Sequence, residues 1–179
     1  MQPRIPRQSA GEQDDRRPDG ADLDDRFDAE LAAAVSGARR RAVRDGDRQI
    51  DTAHLLHSLL ESDAEVRAVL GDGARIARLL GYLVQRSIGY GLRWQSAVED
   101  SGAVPVVTGA TGFSPLAAAA TEEARARAVR RGAARACGVD LLAALVADPQ
   151  ARAVEVLARA AVEPDAVLAR VEQHFEPAP

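Results

Sequence analysis

Phe27 returns as Phe113, Gly46 as Gly132, Leu55-Leu56 as Leu141-Leu142 and Leu59 as Leu145, all at one offset of 86 residues. A second apolar pair, Val69-Leu70, returns as Val156-Leu157 at an offset of 87, so one residue has been inserted between the two sets of marks. A chain that states the same pattern twice is constrained to fold as two like units, each leaving an apolar face for the other to cover.

The chain has 179 residues, 46% of them hydrophobic and 28% charged, enough for one respectable core or two small cores packed together. No apolar run approaches the ~20 residues that cross a bilayer, and the N-terminus is polar and acidic rather than a secretion signal, so a soluble, cytoplasmic protein is expected. The single Cys137 has no partner for a disulfide and no CxxC spacing for zinc, which fits a reducing compartment and a small buried side chain. All 23 basic residues are Arg, a bias of the kind a GC-rich genome produces. A net charge of -4 argues against wholesale nucleic-acid binding.

Three segments separate by composition. Residues 1–26 carry Pro3, Pro6, Pro18 and a cluster of Asp and Arg with little to bury, and read as a disordered tail. Residues 27–87 form the first copy and 113–175 the second. Between them, residues 88–112 hold five glycines, the run Val104-Pro105-Val106-Val107-Thr108, Tyr90 and the single Trp94. A connection longer than ~12–15 residues tends to be functional or mobile, and this one is expected to pack on or near a binding groove.

Within each copy the period is helical. Leu31, Ala34, Val35, Ala38, Ala42 and Val43 recur at three- and four-residue steps up to Gly46, which serves as C-cap. Thr52 is the expected N-cap of a second helix through Leu55-Leu56 and Leu59-Leu60, Ser62 or Asp63 starts a third, and Asp72 a fourth. In the second copy Ser114-Pro115 pairs a capping hydroxyl with a proline at the first helical position, and Asp165 starts the last helix. The fold class is all-α: a pseudo-twofold tandem repeat of two four-helix units.

The string from Phe27 to Leu60, with its Phe, amphipathic helix, Gly46, Ile50, Thr52, His54-Leu55-Leu56 and Leu59, resembles the double repeat of the Clp ATPase N-terminal domain. Phe113-Ser114-Pro115 through Gly132 to Leu141-Leu142 and Leu145 is similar to that family's second repeat, with Cys137-Gly138-Val139-Asp140 standing where the family has Gly-Thr-Glu-His. The resemblance covers residues 27 to 175. It implies two related four-helix bundles that recognise substrates, adaptors or small ligands for an unfoldase.

The family normally continues into ATPase modules, whose phosphate loop needs a Lys; no Lys occurs here, and Thr108-Gly109-Ala110-Thr111-Gly112 lacks that cation. No cofactor and no nucleotide site are expected, and the chain reads as a freestanding recognition domain. In ClpC-type relatives the acidic residue before the helix-two His receives the guanidinium of phosphorylated arginine. Here those positions are Ala53 and Val139, neither of which accepts a hydrogen bond, so that binding mode is expected to be lost. The groove of family members corresponds to Phe113, Val35, Arg39 and Glu122, with Phe27 as pseudo-symmetric mate. For Phe27 and Phe113 the competing reading is that both are core staples at helix starts.

Other candidates are weaker. His54 and His57 stand three apart on a helix with no third metal ligand in view, so no metal site is assigned. His174 reads as solvated. Arg39, Arg40, Arg41, Arg44 and Arg48 form a basic stripe interleaved with Asp45, Asp47 and Asp51, which suits a solvated face. Glu122 and Glu123 with Arg125, Arg127, Arg130 and Arg131 read as exposed helical ion pairs. Asp51, His54 and Ser58 on neighbouring turns supply no oxyanion hole, so the chain is not expected to be an enzyme. The expected function is binding of peptides, protein clients, adaptors or cyclic-peptide antibiotics, as adaptor or decoy for a Clp unfoldase–protease. The rival is a helical regulator that binds DNA or an acidic protein through the arginine stripe, which added salt would weaken steeply.

Overall fold

The computed structural model describes residues 25–87, 99 and 112–177. The N-terminal tail, Tyr90, Trp94 and the Val104–Thr108 run lie outside the described residues. Eight helices occur among the described residues: α1 (Ala29–Asp45), α2 (Thr52–Ser62), α3 (Ala64–Leu70), α4 (Gly73–Gln85), α5 (Pro115–Arg130), α6 (Gly138–Ala147), α7 (Arg152–Arg159) and α8 (Pro164–Phe175). No named strand occurs among them, and none of these helices is long and apolar enough to cross a membrane.

The helix starts follow from local chemistry. Asp28 Oδ1 accepts the Leu31 N–H at 2.7 Å to open α1, and at the equivalent place Ser114 Oγ accepts the Ala117 N–H at 3.1 Å to open α5, with Pro115 in its first turn. Asp63 and Asp72 cap α3 and α4 in the same way. A glycine in the left-handed region follows each first helix, Gly46 at φ 73° as the cap of α1 and Gly132 at φ 77° one residue past Arg131, the cap of α5. Two starts differ from expectation. Asp51 rather than Thr52 caps α2, because the Thr52 hydroxyl is committed elsewhere, as described below. The last helix opens at Pro164 behind Glu163, one residue ahead of Asp165, since proline needs no N–H at the first position.

The two copies are clasped by exchange. Phe27 forms a parallel bridge with Ala136, and Phe113 forms one with Ile50. Adding 86 to Phe27 gives Phe113 and adding 86 to Ile50 gives Ala136, so the two bridges are images of one another. Their hydrogen bonds match as well: Asp28 N–H to Ala136 O and Ser114 N–H to Ile50 O, both 2.9 Å. The helix contacts obey the same symmetry, with α1 on α2 and α5 on α6 within copies, α2 on α7 and α6 on α3 between them, and α2 meeting α6 near the axis. That is the isologous pattern of a twofold dimer written into one chain.

The core lies on this axis. Leu55, Leu56, Leu59 and Leu60 of α2 and Leu141, Leu142 and Leu145 of α6 are all at most 1% exposed. Burying a leucine contributes roughly 1.5–3 kcal/mol, so these two central helices make a large apolar contribution. Both are wrapped on all sides, which explains why nine successive residues of α2 from Thr52 to Leu60 are buried.

Candidate functional site

A cleft of about 360 Å³ opens in the second copy. Its floor is Leu116, Ala119 and Ala120 of α5 facing Ala144, Leu145 and Ala147 at the end of α6. Glu123, paired with Arg130 at 2.6 Å, stands on one rim and Asp148-Pro149 on the other, with Thr52 and Ala151 at one end. The room exists because α5 presents alanine where most helix faces carry larger side chains. The equivalents of Glu123 and Ala144 in the first copy, reached by subtracting 86, are Gly37 and Ser58. There a Cβ on Gly37 would meet Ser58 Oγ at 3.1 Å, so α1 and α2 approach closely. An apolar floor with acidic rims suits an apolar segment carrying basic groups.

At the Thr52 end the cleft meets a junction built on Glu99, from the connection between copies. Glu99 is 4% exposed, and its carboxylate accepts from the Thr52 N–H (2.8 Å), the Thr52 hydroxyl, the Ser114 hydroxyl (2.7 Å) and the Arg152 N–H (2.7 Å). The starts of α2, α5 and α7 thus converge on one carboxylate, α2 and α7 through a first-turn N–H and α5 through the hydroxyl of its N-cap Ser114. Thr52 Oγ1 in turn accepts the Ala153 N–H at 3.0 Å, so it is unable to cap its own helix. Glu99 also replaces a missing part. The N-cap of α3 is Asp63, whereas that of α7 is Ala151, which has no side chain able to cap. Nothing in the sequence on either side of Glu99 signals three distant helix starts.

Beside this junction lies a polar cluster of the first copy. Arg152 Nη1 donates to Asp51 Oδ2 at 2.7 Å, Arg86 bonds Asp51 and, at 3.1 Å, Asp47, and Ser87 Oγ donates to Asp45 at 2.8 Å. His54 is 0% exposed. Its Nδ1 faces the Asp51 N–H at 3.1 Å and Asp51 Oδ1 at 2.9 Å; its Nε2 lies 3.0 Å from Asp47 Oδ2 and 3.9 Å from Asp45 Oδ2. The Asp47 contact has ion-pair distance but not hydrogen-bond alignment, and Nε2 has no hydrogen-bond partner. Burial pushes the Asp51 carboxyl up, yet the His54 bond and charge with Arg86 and Arg152 outweigh it and hold the group well below the usual carboxylate range. Burial pushes His54 down, yet Asp47 and Asp51 outweigh it and its pKa is raised. His57, one turn on, goes the other way: burial and the Arg41 guanidinium push it down to about 4. The two histidines therefore belong to different environments, and the atoms that gather with His54 are Asp45 and Asp47, within 4.8 Å of one another.

The residues expected from sequence are distributed as follows. Phe27 and Val35 are 1% and 5% exposed, inside the core, so a ligand reaching them would have to displace packed side chains. Phe113 and Arg39 are half-buried, and Glu122 is exposed and paired with Arg125 at 2.8 Å. Ala53 and Val139 are fully buried just inside the starts of α2 and α6. Of the basic stripe, Arg41 is tied to Glu61 and Arg44 contacts Asp45 at 3.5 Å. Two of the four arginines in that group correct the local-pair reading: Arg127 reaches Glu172 of α8 at 2.6 Å, and Arg131, just past the end of α5, reaches Asp140 of α6. Cys137 is partly buried, and burial followed by the nearby Asp140 raises its thiol to about 11, so it is a poor nucleophile. His174 is exposed and stands edge-on to Phe175, with centroids 5.0 Å apart.

No family model matches the chain, and no curated protein sequence does. Solved structures do. The N-terminal domain of the caseinolytic protease associated chaperone ClpD from Arabidopsis thaliana matches with a TM-score of 0.63 at 19% identity, covering 85% of this chain and 96% of that one. A structure from a malarial protein secretion system matches with a TM-score of 0.63 at 15% identity, over 84% and 95%. The Hsp104 N-terminal domain from Candida albicans matches with a TM-score of 0.61 at 11% identity, over 82% and 89%. At such low identity the likeness rests on the backbone alone, with eight helices in the order read from the sequence: the chain has the fold of a Clp ATPase N-terminal domain.

Proposed function

We propose that the chain is a non-enzymatic protein-recognition domain that binds peptide segments of clients or adaptors, serving as adaptor or decoy for a Clp unfoldase–protease. The observation that carries this reading is the cleft between α5 and α6: an apolar floor of about 360 Å³ with Glu123 and Asp148 on its rims. A pocket of that size takes two or three apolar side chains, and the acids favour a segment with flanking Arg or Lys, which at Glu123 takes the place of the Arg130 guanidinium. The likeness to the N-terminal domains of the chaperone ClpD and of Hsp104 supports a role beside an unfoldase. Phospho-arginine is not the ligand in this reading, because Ala53 and Val139 offer a guanidinium no acceptor and are sealed in the core.

The test is fluorescence anisotropy on labelled peptides with an apolar centre and basic flanks. Glu123→Arg with Asp148→Arg should weaken binding by at least tenfold and reverse the preference toward acidic flanks. Equal binding by the double variant removes the cleft from the reading. Titrating free phospho-arginine by calorimetry should show no micromolar binding.

A further inference from the structure

We infer that Asp45, Asp47 and His54 form a binding site for one zinc-like divalent transition metal, confined to the first copy. The ligand set is two carboxylates and an imidazole, donors that zinc accepts with three protein ligands and an open fourth position. Their reaching atoms all lie within 4.8 Å of one another, from the end of α1, the loop after it and the first turn of α2. His54 Nε2 is buried, has no hydrogen-bond partner and points at both carboxylates. A buried nitrogen in that condition costs free energy until something fills its lone pair or receives its proton.

The surroundings fit as well. Metal ligands are usually oriented by a further hydrogen bond, and each of these three has a neighbour that can supply one, on Asp45 and Asp47 at the same Oδ2 that faces His54. Ser87 Oγ donates to Asp45 at 2.8 Å, Arg86 donates to Asp47 at 3.1 Å, and Asp51 Oδ1 sits 2.9 Å from His54 Nδ1. Binding needs one proton rearrangement: Nε2 gives up its proton, Nδ1 gains one and turns from accepting the Asp51 N–H to donating to Asp51 Oδ1, and the freed Nε2 lone pair takes the metal. Side-chain exposure is 0% for His54, 7% for Asp45 and 29% for Asp47, so the open position faces solvent on the Asp47 side.

The second copy is an internal control. Adding 86 to positions 45, 47 and 54 gives Arg131, Ala133 and Asp140, one carboxylate with a cation in place of a ligand. The backbone there is equivalent, and Arg131 closes directly onto Asp140. A metal bound to the chain through this geometry therefore binds once.

The experiment is calorimetric titration of chelator-treated full-length chain with zinc chloride, with cobalt absorption as second readout. One zinc per chain is expected. Asp47→Asn should weaken it by at least tenfold, and Ser87→Ala by about tenfold, the usual loss when an outer partner is removed. His174→Ala should bind as the parent does. Circular dichroism of the metal-free variants separates loss of the site from loss of the fold. If Asp47→Asn does not fold, NMR decides: zinc should move the His54 imidazole signals and leave those of His57 and His174 in place. No heat with no cobalt band, unchanged binding by Asp47→Asn, or shifts confined to His57 or His174 would overturn the assignment.

Discussion

The two copies share a backbone and disagree about charge. Where the first has Asp45 facing His54 after Gly46, the second has Arg131 facing Asp140 after Gly132, so acid and base have changed places across the same turn. The helix that follows opens with the same reciprocal geometry in both. Asp51 N–H bonds His54 Nδ1 at 3.1 Å in one, and Cys137 N–H bonds Asp140 Oδ2 at 3.0 Å in the other. What the fold demands is an acceptor three residues into the helix and a glycine before the turn. It does not demand a sign of charge. The first copy has used that freedom to gather titratable groups, and the second to make a fixed ion pair that also stacks its guanidinium 4.3 Å over Phe175.

The sharpest way to break this comparison is at the place where symmetry is mended. Glu99→Ala leaves the starts of α2, α5 and α7 without their shared acceptor and should cost about 3 kcal/mol or more in urea unfolding. Asp63→Ala, which removes the corresponding cap from α3 alone, should cost about 1 kcal/mol. Equal losses would show that Glu99 is an ordinary cap rather than a three-way tie.

Next in size is the inverted pair. Arg131→Ala leaves Asp140, 0% exposed, without its cation, and should destabilise by about 2 kcal/mol. Replacing Asp140 by Asn in the same chain should recover part of that loss, because a neutral side chain still accepts the Cys137 N–H. A double-mutant cycle with no coupling would mean the pair is decorative.

Where the copies agree, the effects should agree. Gly46→Ala and Gly132→Ala meet nothing within 4 Å, so only left-handed strain acts, and each should cost about 1 kcal/mol. A large difference between them would show that one turn relaxes and the other does not.

A last comparison, read from a pH profile, separates the histidines. His57 binds its proton less readily folded, at about 4, than unfolded, near 6.5. The unfolded chain therefore binds more protons across that window, and the contribution of His57 is full above pH 6.5 and declines as pH falls toward 4. His54 has the opposite sign, its raised pKa giving stability that is present below 6.5 and fades as pH climbs. His57→Gln should flatten the acid side of the urea-midpoint profile, and NMR titration should place the two imidazoles on opposite sides of 6.5. Reversed order would sink the description of both environments.

Much of the architecture was written in local chemistry. Repeated apolar spacing, left-handed glycines and Ser114-Pro115 act within a few residues of themselves, so the helices, their order and most of their starts could be read directly. Thr52 shows the limit: a residue with good capping chemistry was drawn away by Glu99 and Ala153, partners 47 and 101 positions distant. His54 and His57 suggested each other by spacing; both are buried, and it is their neighbours that separate them, Asp45 and Asp47 from the preceding turn beside His54 and Arg41 beside His57.

The chain by itself determined that it would be two helical units of one kind, because hydrophobic period and caps are properties of short segments. Only the folded state decided how those units clasp, which carboxylate serves three helix starts and where a cleft remains. Those outcomes depend on long-range packing, which brings together groups that no local pattern links and sets the dielectric in which each charge is paired.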